Sequence, residues 1–167
     1  MSESENKALM QRWFEEVWNQ GKESTIDELF PTQRQAHGLP TPDSTLIGPE
    51  AFKAVHRQFQ NAFGNLHIEI HDILAEGNRV ALRWPLTANH SGDGLGFPPT
   101  GRDVTLIGSS FVTCHNGQIT EAWNFMDLTK LILDLQANNQ TPASAQTWSV
   151  LFAAARAGEF ATSSQTG

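Results

Sequence analysis

The first half of the chain carries apolar residues at helical spacing. This pattern predicts three helices, over residues 4–19, 23–30 and 49–63, each with one apolar stripe. The stripe of the first helix repeats every four residues, through Leu9, Trp13 and Val17 and through Met10, Phe14 and Trp18. Residues 31–48 lie between the second and third helices and are predicted to form a loop, because they include three Pro and two Gly.

After residue 65 the apolar period changes from about 3.6 residues to two. In residues 66–74, three apolar residues alternate with His67, Glu69 and His71, which is typical of a half-buried strand. Further strands are predicted over 79–90, 103–114 and 118–126, and a last helix over 128–136. Asn116-Gly117 is a strong hairpin signal between the last two strands.

Helices followed by a run of antiparallel strands indicate an α+β fold rather than a parallel α/β sheet. Residues 1–137 are predicted to form one domain, which is an ordinary domain size. Residues 138–167 are rich in Ala, Ser, Thr and Gln and are predicted to be a C-terminal extension, partly mobile. A short apolar patch in that extension could form a helix over 145–156.

The charge balance excludes several classes of partner. Acidic residues outnumber basic ones by 18 to 11, and no Lys or Arg cluster is present, which disfavours nucleic-acid binding and anionic membrane surfaces. No apolar run is long enough to span a bilayer, and the N-terminus lacks the features of a signal peptide. Cys114 is the single cysteine, so neither an internal disulfide nor a Cys-rich metal site can form. A cytoplasmic setting is therefore expected.

Asp127 is the first candidate for a chemical role. It lies at the end of the last predicted strand, and Trp123 and Phe125 share its side of that strand. We expect an Asp beside two aromatic rings to be partly desolvated, which raises the pKa of a carboxyl group and suits it to acid/base chemistry. The alternative is that Asp127 caps the helix that follows, since Asp is a favoured N-cap residue.

Three other residues could take part in a site. His90 ends the second predicted strand before a Gly/Pro loop over 91–102, and His37 lies in the earlier loop; either could bind a carbonyl oxygen or relay a proton. Arg83 lies within a strand, where it could pair with Asp127 or orient a ligand. A bulge at Pro85 would bring Arg83 and His90 to one face. Each could instead be an exposed surface residue.

His67, Glu69 and His71 have the residue types of a non-haem iron site. Because they alternate with buried apolar residues, the favoured interpretation is the polar outer face of a strand. We therefore predict no metal.

Several blocks of the chain together resemble the SnoaL-like polyketide cyclases. The resemblance spans about residues 6–136. It is carried by the first helix, by residues 26–30, by the central segments 81–84, 90–92 and 96–102, and by Glu121-Ala122-Trp123-Asn124 followed by Asp127-Leu128. Departures from the family pattern include Pro85, Gln35-Ala36-His37, and Thr129-Lys130-Leu131 after the Asp.

The resemblance implies a cone-shaped fold of the nuclear-transport-factor-two-like superfamily, in which a curved, mixed but mainly antiparallel sheet is wrapped by helices around an internal pocket. It implies a cofactor-independent enzyme that closes a ring in a small apolar or aromatic carbonyl compound by intramolecular aldol condensation. The family's acid/base Asp matches Asp127, and family histidines match His37 and His90. Together with the candidates above, this predicts that Asp127 and His90 are catalytic and that His37, Arg83, Trp123 and Phe125 contact the substrate. The resemblance also implies a homo-oligomer, either a dimer or a tetramer.

Three alternatives stay open at the level of the sequence. One is a non-catalytic protein of the same fold that binds a small molecule. Another is a hydrolase, dehydratase or isomerase of the same superfamily, in which Arg83 would act between carboxylates. The third is a purely structural dimerisation module.

Overall fold

Residues 2–137 are described by the computed structural model. Its helices are α1 (Glu3–Trp13), which continues directly into a π-helix (Phe14–Asn19), α2 (Glu23–Leu29), α3 (Gly48–Ala62) and α4 (Leu128–Gln136). Its strands are β1 (Gln35–His37), β2 (Thr45–Ile47), β3 (Phe63–Ile68), β4 (Asp72–Glu76), β5 (Arg79–His90), β6 (Asp103–His115) and β7 (Gln118–Met126). The predicted C-terminal extension, 138–167, lies outside the described residues.

The strands form one mixed sheet, and the α+β fold class is confirmed. Their order is β2-β1-β7-β6-β5-β3, with β4 also paired to β5. β1 runs parallel to β7, and the other pairs are antiparallel. The β6–β7 hairpin turns at Asn116-Gly117 with positive φ at both residues, as the sequence predicted.

Two parts of the sheet differ from the sequence prediction. The segment predicted as one strand over 66–74 is divided between β3 and β4, which pair with different parts of β5. The predicted loop 31–48 contains β1 and β2. A strand of three residues is too short to show an apolar period, and the pairing of β1 with β7 joins residues more than 80 positions apart, so local sequence could not reveal it.

The helices cover one face of the sheet, which we call the inner face. Trp13 packs edge-on against Phe52 of α3, with ring centroids 5.2 Å apart, and Phe14 contacts Trp84 of β5 at 5.7 Å. Trp84 lies across the backbone of β6 at Gly108, where any Cβ would overlap its indole ring. The apolar stripes predicted for α1 and α3 are confirmed as buried.

The π-helix ends where its last carbonyl groups meet side chains of α3. Val17 O accepts a hydrogen bond from His56 Nε2 at 2.8 Å, and Trp18 O accepts one from Gln60 Nε2 at 3.0 Å. Carbonyl groups at a helix end lack intrahelical partners, so these two bonds satisfy them and fix the π-helix against α3. Trp18, which this contact holds in place, belongs to the interior cavity described below.

The predicted Gly/Pro loop after β5 approaches α3 closely. A Cβ at Gly92 or Gly94 would overlap the carbonyl oxygens of Asn61 and Gln58, so a larger residue at either position would force the backbone to shift. None of the residues of this loop lines the cavity described below. No helix among residues 2–137 is long and apolar enough to cross a membrane.

Candidate active site

An apolar cavity lies between the inner face of the sheet and the helices. Its volume is about 30 Å³, measured as the space open to the centre of a water-sized sphere. A single water needs about 10–15 Å³ by this measure, so the space is narrow and its walls are closely packed. The lining residues are Met10, Trp13, Phe14, Trp18, Phe30, Ala36, Leu39, Phe52, Phe59, Ile68, Trp84, Leu86, Ser110, Val112, Ile119, Ala122, Asn124 and Met126.

Only two of the lining residues have hydroxyl or amide side chains, Ser110 and Asn124. Trp84 Nε1 donates to Ser110 Oγ at 3.1 Å, and Ser110 Oγ donates to Asn124 Oδ1 at 2.9 Å. Asn124 Nδ2 donates to the backbone carbonyl of His37 at 3.1 Å. Because an indole N–H can only donate and a carbonyl can only accept, the direction of every bond in this series is determined.

A bulge in β7 brings Asn124 to the inner face. Between the pairs Cys114↔Ile119 and Thr113↔Glu121, β6 advances by one residue and β7 by two, so Thr120 is the extra residue. Ile119 lines the cavity before the bulge. After it, inward positions fall on even-numbered residues, so Asn124 faces inward.

The sequence prediction missed Ser110 and Asn124, although a signal was present. Ser110 interrupts an otherwise apolar inward series on β6 that includes Leu106 and Val112. A buried hydroxyl group in such a series needs a hydrogen-bond partner, which marks the position as unusual. For Asn124 the corresponding signal was hidden by the bulge.

Asp127 lies outside the cavity, and the predicted desolvation is wrong for this structure. Its side chain is exposed, and its Oδ1 accepts a hydrogen bond from the backbone N–H of Lys130 at 2.9 Å, which makes it the N-cap of α4. The bulge at Thr120 accounts for this, because it turns Trp123 and Phe125 to the outer face. Asp127 follows Met126, which does line the cavity, so Asp127 is one residue from the cavity wall.

His90 is fully buried but does not line the cavity. Its Nδ1 accepts the backbone N–H of Thr100 at 3.1 Å, so the proton of the neutral ring lies on Nε2, which has no partner among the described residues. Burial lowers the pKa of His90, because desolvation disfavours the charged ring. The ring packs between Phe63 and Phe97, at 5.9 and 5.0 Å between centroids.

Strand register separates His90 from Asp127. Met126 is opposite Gly108, and Gly108 is opposite Trp84. At about 3.3 Å per residue, the five positions from Pro85 to His90 span about 16 Å along β5, and β6 lies between β5 and β7. The two residues predicted to be catalytic therefore cannot meet at one bond of a small substrate in this structure.

His37 lies on the outer face with the two aromatic residues predicted to bind substrate. Its ring stacks on Trp123 with centroids 4.0 Å apart, and its Nε2 lies 3.1 Å from Glu121 Oε1. Trp123 and Phe125 are 46% and 53% exposed. The structure therefore brings these three residues onto one surface near Asp127, on the opposite side of the sheet from the cavity.

Arg83 also points outward, where its Nε donates to Asp72 Oδ2 at 2.6 Å. The register of β5 against β6 is continuous through Pro85, so the bulge predicted there is wrong. Arg83 and His90 consequently lie on opposite faces, and Arg83 does not pair with Asp127.

Other polar candidates also lie away from the cavity. His67, Glu69 and His71 are exposed, as expected for the outer face of a strand. Within residues 2–137, no group of three or more His, Cys, Asp or Glu side chains is placed to hold a metal ion. Cys114 is buried, and burial raises the pKa of its thiol to about 11.

Comparison with known proteins agrees with this architecture. A model of the family described as SnoaL-like polyketide cyclase matches residues 8–135. A search of curated proteins gives no match. Among solved structures, a protein from Jannaschia sp. CCS1, provisionally named a SnoaL-like polyketide cyclase, superposes with a TM-score of 0.73 at 24% identity, over 81% of this chain and 94% of its own.

Two Streptomyces proteins are also similar. AclR from Streptomyces galilaeus, provisionally named a hydroxylase, is 27% identical over 93% of this chain and 96% of its own, with a TM-score of 0.71. IdmH from Streptomyces antibioticus, provisionally named a polyketide cyclase, is 25% identical over 78% of this chain and 97% of its own, with a TM-score of 0.67. The two names refer to different reactions, hydroxylation and polyketide cyclisation. A shared fold does not decide between them.

Proposed function

The chain belongs to the SnoaL-like polyketide cyclase family, and from that premise we propose that it is a cofactor-independent cyclase acting on a small apolar or aromatic, polyketide-like carbonyl compound. The observation that carries this proposal is the aromatic-lined cavity with a single pair of polar side chains, Ser110 and Asn124. This lining favours a neutral ligand with few polar groups, and a ring-bearing ligand enters only if the closely packed walls move apart, because the open space is about 30 Å³.

The proposed reaction is an intramolecular aldol condensation. Asp127 removes a proton from the carbon next to one carbonyl group, and the resulting enolate attacks a second carbonyl carbon of the same molecule. The proton then passes to the new alkoxide oxygen, so the carboxylate is restored. Because the apolar walls hold both reacting carbons in one folded substrate, positioning supplies much of the rate.

The position of Asp127 supports a role at the edge of the cavity rather than inside it. Its carboxylate is exposed, and the residue before it, Met126, lines the cavity. The substrate would therefore present its acidic carbon at the end of β7. We do not assign His90 to this step, because strand register places it too far from Asp127.

Proton exchange tests the proposal. The rate at which α-protons of cyclohexanone exchange with deuterium, followed by NMR, should be higher with the wild-type chain than with Asp127→Asn, by about 10² to 10⁴-fold. Asn caps helices nearly as well as Asp, so the thermal stability of this variant should not change. Asp134→Asn, which removes another exposed carboxylate near Asp127, is the matched control and should exchange at the wild-type rate.

A second candidate is a non-catalytic protein that binds a small apolar molecule. The observation in its favour is that Asp127 already acts as the cap of α4 and is open to solvent. If wild-type and Asp127→Asn chains give equal exchange rates while both bind cyclohexanone, the cyclase proposal fails and this one stands. The hydrolase alternative has less support, because Arg83 is paired with Asp72 on the outer face.

We also propose that the chain forms a homo-oligomer through the outer face of β6 and β7. Ile107, Phe111, Trp123 and Phe125 are all between 46% and 62% exposed there. Phe111 is directly opposite Trp123, and its ring packs edge-on against that of Phe125, with the ring centroids 6.1 Å apart. These side chains therefore form one patch. A second copy carries the same patch, and a two-fold axis would place the two against each other.

A further inference from the structure

The hydrogen bonds around Asn124 leave part of its amide group free. The amide has two N–H donors and an oxygen with two acceptor positions. One N–H is used by the carbonyl of His37, and one acceptor position by the hydroxyl of Ser110. Counting the contacts within residues 2–137, one donor and one acceptor position therefore stay available on a side chain that lines the cavity.

Ser110 has no donor to offer a ligand. Its single hydroxyl proton goes to Asn124 Oδ1, and one of its lone pairs accepts the indole N–H of Trp84. Ser110 is 1% exposed, which leaves little room for a ligand to replace these bonds. Among the hydroxyl and amide groups that line the cavity, the free donor is the second Nδ2–H of Asn124.

The orientation of this donor is determined before any ligand binds. Ser110 holds the amide oxygen and the His37 carbonyl holds the nitrogen, so the amide cannot turn over without losing both bonds. The close approach of the chain after β1 to β7 also holds the backbone at Asn124 in place. Gly38 has a positive φ of 77°, and a Cβ there would overlap the backbone carbonyl oxygen of Asn124. A donor held in this way does not have to reorganise when negative charge develops near it.

We propose that Asn124 binds the carbonyl oxygen of the ligand and donates its free N–H to that oxygen. The inference rests on the proposed function, because it assumes that the cavity is the ligand chamber. A carbonyl oxygen accepts but cannot donate, which matches the free N–H of Asn124. In the cyclase reaction, the same N–H stabilises the alkoxide oxygen that forms when this carbonyl group is attacked, whereas the sequence had favoured His90 or His37 for binding a carbonyl oxygen.

Three probes of nearly the same shape test this donor. Cyclohexanone carries a carbonyl oxygen where methylenecyclohexane carries a CH₂ group, and cyclohexanol carries a hydroxyl group. Their dissociation constants can be measured by the change in tryptophan fluorescence, since Trp13, Trp18 and Trp84 line the cavity. The informative quantity is the ketone-to-alkene affinity ratio of each protein, because a partly unfolded variant lowers both affinities equally.

Asn124→Leu should reduce the ketone-to-alkene affinity ratio roughly 3- to 10-fold, the effect of losing one neutral hydrogen bond. Asn61→Leu is the matched control, because it makes the same change at an exposed side chain of α3 that does not line the cavity. It should leave the ratio within about 2-fold of wild type. If Asn124→Leu does not fold, Asn124→Asp can be used instead. It keeps the oxygen that accepts from Ser110 and puts a second oxygen in place of the Nδ2 donor. It should lower the ketone-to-alkene affinity ratio by at least as much as Asn124→Leu.

The remaining outcomes separate this inference from the proposed function. An unchanged ratio in Asn124→Leu, with both probes still bound, overturns the role of Asn124 and leaves the ligand chamber intact. A wild-type preference for cyclohexanol that disappears in Asn124→Leu overturns the carbonyl assignment in favour of a hydroxyl group. If no probe binds at millimolar concentration, the chamber itself is refuted. If Asp127→Asn shows no exchange defect while the ratio behaves as expected, the carbonyl site stands and the cyclase reaction fails.

Discussion

The two faces of the sheet formed by β5, β6 and β7 differ in what covers them rather than in how apolar they are. The inner face carries Trp84 and Leu86 beneath the helices, and the outer face carries Phe111, Trp123 and Phe125 in the open. Because both faces carry large apolar side chains, the sequence alone does not show which of them is buried. The aromatic residues of β7 led to a predicted site on their own side of the strand, whereas the helices enclose the cavity on the other side.

The polar residues of the two faces differ as well. On the inner face, Ser110 and Asn124 satisfy each other and leave one free donor. On the outer face, His37 is paired with Glu121, and Arg83 with Asp72. Buried polar groups must be satisfied within the protein, whereas exposed ones can also use water. A polar side chain that lines an apolar cavity is therefore more informative about function than a charged one on a strand surface.

The same substitution on each face should give the largest contrast. Leu86→Ala, at a side chain 2% exposed, should lower the free energy of unfolding by about 2–5 kcal/mol, because it removes buried methyl groups and leaves a hole. Leu74→Ala, at a side chain 69% exposed, should change it by no more than about 0.5 kcal/mol. Urea unfolding followed by circular dichroism measures both. Equal losses would mean that the outer face is as well packed as the inner one.

Deletion of Thr120 should leave the faces of β7 unchanged. Without the extra residue, Ile119 and Glu121 become neighbours opposite Cys114 and Thr113, so a regular strand keeps Ile119 and the segment from Ala122 to Met126 on the inner face. The free energy of unfolding should therefore fall by less than the roughly 1.5–3 kcal/mol expected if Ile119, now 1% exposed, left the core. Thr120→Ser keeps the residue count and the hydroxyl group that donates to Thr113 O, and it serves as the control. A larger loss in urea unfolding would show that the bulge itself is needed to hold the register.

Acid should destabilise the chain through histidines on the inner side. Burial lowers the pKa of His56 and of His90 from 6.5. At pH values below 6.5 the unfolded chain then binds more protons than the folded one, so their contribution to stability is present above pH 6.5 and is lost as the pH falls. The loss is at most about 1.4 kcal/mol per pH unit for each histidine.

Chemical unfolding between pH 7.5 and 5 measures this effect. In His56→Gln the slope against pH should be smaller, and Gln can still donate to Val17 O. The same substitution at exposed His67 is the control and should leave the slope unchanged. A stability that rises as the pH falls would contradict neutral, buried histidines.

Charge on the outer face should change assembly with little effect on the fold. Phe125→Lys places a charge in the exposed patch, so it should shift the proposed oligomer toward monomer in sedimentation velocity experiments. The free energy of unfolding of the monomer should change by about 0.5 kcal/mol or less. Leu74→Lys, on β4, is the control because β4 is not adjacent to β6 or β7. A wild-type chain that sediments as a monomer would refute the proposed assembly.

Local patterns were sufficient for most elements of this fold. The bounds predicted for β5, β7 and α4 agree with the structure, and those for α2, α3 and β6 differ by one residue. Helical period, strand alternation and the Asn116-Gly117 turn depend on neighbours within a few positions, so they can be read from the chain itself. The family of the chain followed from the order of such blocks.

What only the tertiary structure decided was which side of each strand became the interior. Alternation tells which residues share a face, but a single extra residue, Thr120, exchanges the faces of β7 without any mark in the apolar pattern. For this reason Asp127 was correctly placed at the end of a strand and wrongly placed in the cavity. The polar pair that does line the cavity, Ser110 and Asn124, comes together only when β6 and β7 pair and the helices close over them.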